Sequence, residues 1–411
     1  MKKILGITLG IMTALGGFID LGQIVFTLQA GALFGYALLW AIVLGTAAII
    51  VYMEMCGRIA VVAREPVFSV VRTQLGFKAG LATLIASNLL DLITCAAELA
   101  GVAILLNLVS GWNEKLLLVA ATLVLGLIVH SFKFRWIERT FGLAGLLMIV
   151  SVVSAVMLHP HWAAVAHGLL PTLPRHDLHG ALLYGYFAVG VFSAVLMVYE
   201  VHFYSSGAIE EDWKTKDLAE NFFVASLGAT LGALLTAALL VLGSIVFRPH
   251  GIFPEILSTS LMAEVFPFAQ RALIIALLGS LACVSGAALE TALSGAYNIC
   301  QFFNLQWGKD MPAKSAPAYT LAWTGMLVLG MVISLTGIRP LTLINISVIF
   351  GMVVMPFTYY PILRVAEDKK IMGAHVNSKA DSAVGWVFLV LITLAAAAAL
   401  PLMVLTHSGQ P

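Results

Sequence analysis

Eleven long apolar runs, separated by short charged segments, constrain the fold of this chain more than any other feature of its sequence. Their length is that of α-helices that cross about 30 Å of hydrocarbon, which takes roughly 20 residues. Because 61% of the residues are hydrophobic and 10% are charged, we predict an all-α integral membrane protein. The runs fall at about residues 5–28, 35–57, 80–109, 116–131, 140–158, 181–205, 219–247, 268–302, 316–336, 341–363 and 384–406.

The distribution of Lys and Arg predicts the orientation in the membrane. Most of the 22 basic residues fall in loops on the side of the N-terminus. Basic loops stay in the cytoplasm, so the N-terminus is expected to be cytoplasmic. An odd number of helices then places the C-terminus outside the cytoplasm.

Composition and motifs also exclude several classes of function. A formal net charge of +1 gives no indication of nucleic-acid binding. The sequence contains no nucleotide-binding loop, which excludes a pump driven by an ATPase domain in this chain. We therefore expect a protein that is not an enzyme, uses no cofactor and works in a lipid bilayer. Its oligomeric state is left open.

The first run, which includes "GGFIDLGQIVF", carries polar and flexible residues where a lipid-facing helix has Leu and Ile. It contains Gly16, Gly17, Asp20, Gly22 and Gln23. A carboxylate at membrane depth is costly and normally faces a cavity or a partner. Glycines allow a helix to unwind, and unwound backbone is tolerated where it lines protein or water.

The sixth run has the same character. Gly185, Gly190 and Ser193 precede "MVYEVHFYSS", which places Glu200 and His202 in the lower half of the helix. Two interrupted helices five positions apart are typical of five-helix repeats in inverted topology, whose interrupted helices meet at the midplane. Unwound carbonyls and carboxylates together favour a cation. The pattern therefore predicts a cation transporter.

Six segments, in the same order and with similar spacing, resemble the Nramp family of divalent metal transporters. "DLGQ" stands where that family has D-P-G-N in helix 1, and "SAVLMVYEVHFYS" aligns without a gap to its helix 6 motif G-A-T-x-M-P-H-N-x-x-x-H-S. "GRIAVVAREPVFSVVR", "TCAAELAGVAILLNLV", "FRWIE" and "LRVAEDKKIMG" are similar to its other signature segments. The resemblance runs over helices 1 to 10.

The resemblance implies a metal site built from four residues. By motif position, the metal ligands of the family fall on Asp20, Gln23 and Met197, with Ala194 as a candidate carbonyl ligand. A carboxylate, an amide oxygen and a thioether form a coherent set, since the thioether favours softer metals such as Mn, Fe, Co or Cd over Ca and Mg.

Several positions depart from the family pattern. The Pro of D-P-G-N is lost and Gln23 replaces the Asn, which alters ligand reach. Tyr199 stands where the family has its proton-handling His, and Cys95 replaces the first acid of helix 3. Lys314 alone represents the paired arginines of helix 9, and Ala287 replaces a helix 8 Gln. We therefore expect proton coupling to be weak or absent.

Further polar residues in the predicted helices are candidates for an ion or proton relay. Glu98 keeps the second acid of the helix 3 pair, and Asp91 lies seven residues earlier on the same helix face. Tyr199, Glu200 and Glu290 are the other candidates. Structural hydrogen bonding is the alternative role for these side chains.

Together, these observations predict a five-plus-five inverted-repeat (LeuT-like) transporter with eleven transmembrane helices in a single domain. The first repeat is expected at about residues 5–158, the second at 181–363 and an additional helix at 384–406. The expected function is uptake of a divalent cation, with Mn²⁺ favoured and Fe²⁺, Cd²⁺, Co²⁺ or Mg²⁺ open, across the plasma membrane by alternating access. An amino-acid or amine transporter of the same fold is the first alternative. A metal sensor that does not transport is the second, disfavoured because the sequence contains no output domain.

Overall fold

The computed structural model describes residues 19–172, 178–254 and 269–409, and the regular secondary structure of this part of the chain is helical. The helices of its first half are α1 (Leu21–Phe34), α2 (Leu39–Val62), α3 (Val67–Ser110), α4 (Glu114–Ser131), α5 (Phe134–Gly145), α6 (Ile149–Met157) and α7 (Trp162–Gly168). Those of its second half are α8 (Leu178–Leu196), α9 (Val198–Glu210), α10 (Leu218–Leu242), α11 (Ala269–Phe302), α12 (Pro317–Leu335), α13 (Pro340–Ala366), α14 (Lys369–Met372) and α15 (Lys379–Leu405). Short 3₁₀ or π segments lie at Leu146–Met148, Thr215–Asp217, Gly243–Phe247, Arg248–His250 and Gly373–His375.

The described residues contain ten helical segments that are long and apolar enough to cross a membrane. Helix α1 is shorter and apolar, and it matches the second part of the first predicted run. Residues 5–18 of that run lie outside the described part of the chain. The prediction of an all-α protein with membrane-length helices is therefore confirmed.

Two boundaries differ from those expected from the apolar runs. Helix α3 begins at Val67, well before residue 80, and bends at Gly76, whose φ of 75° a side chain would disfavour. The segment before this bend is too polar to be recognised as a span, and the apolar run starts only after it. The predicted run at 140–158 is likewise divided, because a 3₁₀ turn at Leu146–Met148 separates α5 from α6.

Helix α3 occupies the centre of the packing. It lies against α11 and α13 over long contacts and also touches α4 and α12. Helix α1 packs against α8, α10 and the π segment that follows α10. The starts of α1 and α9 and the middle of α3 are consequently surrounded by other helices rather than by lipid.

The crossing of α1 and α10 depends on two glycines. A Cβ on Gly31 would lie 2.1 Å from the carbonyl oxygen of Leu240, and a Cβ on Gly243 would lie 2.3 Å from that of Leu28. Small residues allow helix backbones to approach this closely inside membranes. The two glycines therefore set the distance between α1 and α10.

We predict that Gly31→Ala lowers the stability of the protein by about 1–3 kcal/mol, because the added methyl group must push two backbones apart. Thermal unfolding in detergent measures the change. Gly325→Ala is the matched control, since a Cβ there meets nothing within 4 Å and Ala favours helix. Equal melting temperatures for Gly31→Ala and the wild type would contradict the close crossing.

Candidate metal site

The start of α1 is held by two carboxylates. Asp20 has extended backbone angles (φ −93°, ψ 174°), and its Oδ1 accepts a hydrogen bond of 2.7 Å from the backbone N–H of Gln23. The carboxyl group of Glu98 in α3 accepts a hydrogen bond from the backbone N–H of Leu21, at 3.0 Å for Oε1 and 3.2 Å for Oε2. Carboxylates are favoured at this end of a helix, where free N–H groups carry partial positive charge. The described helix α1 therefore begins at Leu21, with Asp20 directly before it, and residues 5–18 of the predicted first run lie outside the described part of the chain.

The second interruption lies at Met197, between α8 and α9. Met197 has non-helical angles (φ 8°, ψ 102°), so carbonyl groups at the end of α8 lose their partners within the helix. The hydroxyl of Tyr359 donates to the carbonyl of Leu196 at 2.7 Å. The side-chain amide of Gln23 donates to the carbonyl of Ala194 at 2.8 Å. Side chains from other helices thus replace the missing helical hydrogen bonds.

The hydroxyl group of Tyr199 links the start of α1 to the break between α8 and α9. The hydroxyl of Tyr199 donates to Asp20 Oδ2 at 3.0 Å and lies 2.8 Å from Met197 Sδ. Gln23 Oε1 is buried and has no hydrogen-bond donor in the described part of the chain. The structure therefore brings Asp20, Gln23, Ala194 and Met197 together, as the resemblance implied. Ala194 differs in one respect, since its carbonyl oxygen already accepts a hydrogen bond from Gln23.

A small cavity adjoins these groups. Its walls come from both halves of the chain: Asp20, Leu90, Thr94, Ser193, Ala194, Met197, Val198, Tyr199, Ser347, Val348, Gly351 and Met355. Most of this wall is apolar, and the carboxylate of Asp20 and the thioether of Met197 are part of it. With the nearby unpaired amide oxygen of Gln23, they form a donor set that suits a borderline transition-metal cation.

The charge at this site is not balanced by a basic side chain. None of the five ion pairs found among residues 19–172, 178–254 and 269–409 includes Asp20 or Glu98. Both carboxyl groups are buried, with 6% and 1% of the residue surface exposed. Buried charge is stable when it is paired or bound to a metal, so the surroundings of Asp20 favour a cation.

The candidate relay residues fall into separate groups. Glu98 and Tyr199 belong to the metal site itself. Asp91 is buried further along α3 and accepts a hydrogen bond from Asn298 of α11 at 3.0 Å.

Glu200 and Glu290 form the other group. Their carboxyl groups are both buried and lie close to each other. Glu200 also lines a second cavity, together with Tyr204 and Trp213.

The sequence analysis did not identify Tyr359, which supports the end of α8, or Asn298, which binds Asp91 outside the metal site. It named Ser193 but not its partner, the carbonyl of Val348, to which the Ser193 hydroxyl donates at 2.5 Å. The prolines at 356 and 361 inside α13 were an available signal for a distorted helix near Tyr359. Asn298 carries no comparable local signal.

Ten membrane-length helices, with a break between α8 and α9 beside the start of α1, are the arrangement expected of a membrane transporter with a LeuT-like fold. The sequence profile of Nramp, described as natural resistance-associated macrophage protein-like, matches residues 10–401. This chain therefore belongs to the Nramp family.

Similar proteins are found among sequences and solved structures. The divalent metal cation transporter MntH of Levilactobacillus brevis is 23% identical over 92% of this chain and 85% of its own length. MntH 1 of Pseudomonas aeruginosa is 25% identical over 92% and 87%. A manganese transporter of Eremococcus coleocola, solved with an aromatic bis-isothiourea compound, aligns with a TM-score of 0.73 at 21% identity and covers 94% of this chain and 84% of that one. MhsT in complex with L-phenylalanine aligns with a TM-score of 0.59 at 15% identity, over 97% of this chain and 98% of that one. These likenesses confirm the predicted fold.

We predict that Tyr199→Phe binds Mn²⁺ more tightly than the wild type. The Tyr199 hydroxyl lies between Asp20 Oδ2 and Met197 Sδ, so a metal that uses both atoms must displace it. A net hydrogen bond contributes roughly 1 kcal/mol, which corresponds to about a fivefold lower Kd. Isothermal titration calorimetry on purified protein measures the change.

Tyr186→Phe is the matched control, because the hydroxyl of Tyr186 is also buried but has no hydrogen-bond partner. Its Kd should equal that of the wild type. Weaker binding by Tyr199→Phe alone would show that the hydroxyl orients the ligands instead of competing with the metal.

Proposed function

We propose that this chain transports a divalent metal cation, using Asp20, Gln23 and Met197 as side-chain ligands. One observation supports the proposal most directly: the start of α1 and the break between α8 and α9 place the carboxylate of Asp20 and the thioether of Met197 against the same Tyr199 hydroxyl. The unpaired Gln23 Oε1 adds an oxygen ligand to this site. The names of the MntH relatives and of the Eremococcus coleocola protein support the same substrate class.

The ligand types support a preference among divalent metals. A thioether is a soft ligand and contributes little to Mg²⁺ or Ca²⁺, which take oxygen ligands. Manganese is therefore the proposed substrate, with Fe²⁺, Co²⁺ and Cd²⁺ as related candidates. The longer side chain of Gln23 and the second carboxylate, Glu98, are the features that favour Mg²⁺ instead.

An amine substrate is less well supported by this donor set. An ammonium group donates hydrogen bonds and needs acceptors, and Asp20 and Gln23 Oε1 would serve this purpose. The thioether of Met197 is a weak acceptor and adds little for such a ligand. As a ligand to a borderline or soft metal ion, the thioether of Met197 contributes more than it does as a hydrogen-bond acceptor.

We further propose inward transport across the plasma membrane by alternating access, with the N-terminus in the cytoplasm. The predominance of Lys and Arg in loops on that side supports this orientation. The single transport domain is proposed to contain repeats at about residues 5–158 and 181–363, with the helix at 384–406 outside them. The interruptions at Asp20 and Met197 are then the equivalent positions in the two repeats, and each is a natural point of bending.

We predict that Asp20→Asn lowers Mn²⁺ uptake into proteoliposomes by about 10- to 100-fold, because an interaction with a charged group contributes roughly 1.5–3 kcal/mol. Excess Mg²⁺ added to the wild type should compete weakly. Glu114→Gln is the matched control, since this exposed carboxyl group at the start of α4 is far from the cavity walls.

Uptake by Asp20→Asn at the wild-type rate would refute the proposed ligand. Strong competition by Mg²⁺ would overturn the preference for manganese while leaving divalent transport intact. Uptake of an amino acid that does not respond to metals would favour the organic-substrate alternative.

We predict that metal uptake proceeds without accompanying proton uptake. Tyr199 occupies the position of the family's proton-handling His, and a phenol does not titrate near neutral pH. Cys95 occupies the position of a helix 3 acid, and its buried thiol packs 3.7 Å from the carbonyl of Ala288. A pH-sensitive dye in the lumen should therefore report no acidification during Mn²⁺ uptake beyond that of protein-free liposomes. Acidification in proportion to metal entry would contradict this prediction.

A further inference from the structure

A second buried polar cluster lies between α3 and α11, outside the walls of the metal-site cavity. Asn298 Nδ2 donates to Asp91 Oδ2 at 3.0 Å and to Asn88 Oδ1 at 3.3 Å. Asn88 Nδ2 in turn donates to the carbonyl of Gly295 at 3.1 Å. Asp91 and Asn298 are both 0% exposed. The cluster therefore joins the two helices at a depth that solvent does not reach.

Asp91 has no basic partner at this position. None of the ion pairs in the described ranges includes it. The neighbouring hydroxyl of Ser294 lies within hydrogen-bonding reach of the Asp91 carboxyl group and also lies 3.4 Å from the carbonyl of Tyr199, and it carries no charge that would balance a carboxylate. A buried carboxyl group without a counter-charge is costly, so it must be neutralised by a proton or by a bound cation.

Three oxygen atoms in this region of α3 and α11 have no hydrogen-bond partner in the described part of the chain. Asp91 Oδ1, Asn298 Oδ1 and Ser87 Oγ are all buried and have no hydrogen-bond partner among the described residues. Ser87 precedes Asp91 by four residues, so both project from the same face of α3. Unpaired oxygens of three chemical types at one place are the ligands that hard cations use.

The charge of the cluster indicates a cation of single charge. It holds one carboxyl group, and its other oxygens are neutral amide and hydroxyl groups. No group of three His, Cys, Asp or Glu side chains suited to a metal occurs in the described part of the chain. A divalent or thiophilic ion would therefore lack sufficient negative charge or soft ligands here.

We propose that Ser87, Asp91 and Asn298 form a binding site for a monovalent alkali cation, with Na⁺ as the ion that fits this oxygen set. The site goes beyond the proposed metal transport, because it uses residues that the metal site does not. Ser294 connects this site to the metal site. Its hydroxyl lies beside Asp91 and 3.4 Å from the backbone carbonyl of Tyr199, and the side-chain hydroxyl of Tyr199 reaches Asp20. A cation at Asp91 would thus stabilise the contact between α11 and α9.

Thermal unfolding in detergent, without any divalent metal, tests the proposal directly. A ligand that binds only the folded protein raises Tm in a saturable way. Titration of NaCl against choline chloride at constant ionic strength should raise the Tm of the wild type. Asp91→Asn should lose the effect or shift half-saturation to at least about tenfold more Na⁺.

Two further variants keep the test informative if Asp91→Asn folds poorly. Ser87→Ala removes one neutral oxygen and should raise the half-saturating Na⁺ concentration by about threefold. Glu114→Gln, the same carboxyl-to-amide change at an exposed position, should respond to Na⁺ as the wild type does.

A wild-type Tm that does not distinguish Na⁺ from choline would overturn the proposal, as would an unchanged Na⁺ response in Asp91→Asn and Ser87→Ala. A Tm that responds to pH instead of Na⁺, and loses this response in Asp91→Asn, would also overturn it and assign a proton to Asp91. Since no divalent metal is present, a failure of Mn²⁺ uptake in liposomes has no bearing on this result.

Discussion

Backbone N–H and C=O groups at the ends of helices within the membrane need hydrogen-bond partners from the protein, because the hydrocarbon supplies no water. The packing around the site depends on this requirement. The amide of Leu21 obtains its partner from Glu98, and the carbonyl of Leu196 obtains its partner from Tyr359. Each partner comes from a helix distant in sequence. The interruption at Met197 is therefore stable only where α3, α8 and α13 meet, and this meeting point is also where the cavity lies.

The same requirement explains why the site is negatively charged. A carboxylate is the natural cap for exposed N–H groups, and two of them, Asp20 and Glu98, cap the start of α1. A second carboxyl group beyond what one helix end needs places two acids in a buried region without a basic partner among the described residues. The groups that cap the start of α1 are thus the same groups that we propose attract the cation, and the thioether of Met197 is the group that we propose favours softer metals.

Much of this arrangement could be predicted because it depends on local patterns. Glycines with Asp20 in one apolar run, and Ser193 with Glu200 in another, indicated two interrupted helices before any contact was known. The contact of Glu98 with Leu21, and that of Tyr199 with Asp20, could not be inferred in this way. Residues this far apart meet only through the packing of whole helices, for which hydropathy carries no information.

The sequence by itself determined the all-helical membrane character, the number of apolar runs and the two runs that carry polar and flexible residues. These properties follow from the cost of exposing polar groups to lipid, which acts on each segment separately. Only the tertiary structure decided that Gln23 would pair with Ala194 and leave one oxygen unpaired, and that Asp91 would meet Asn298 away from the metal site. Those outcomes depend on which helix faces touch, and touching faces are selected by close packing and hydrogen bonding across the whole bundle.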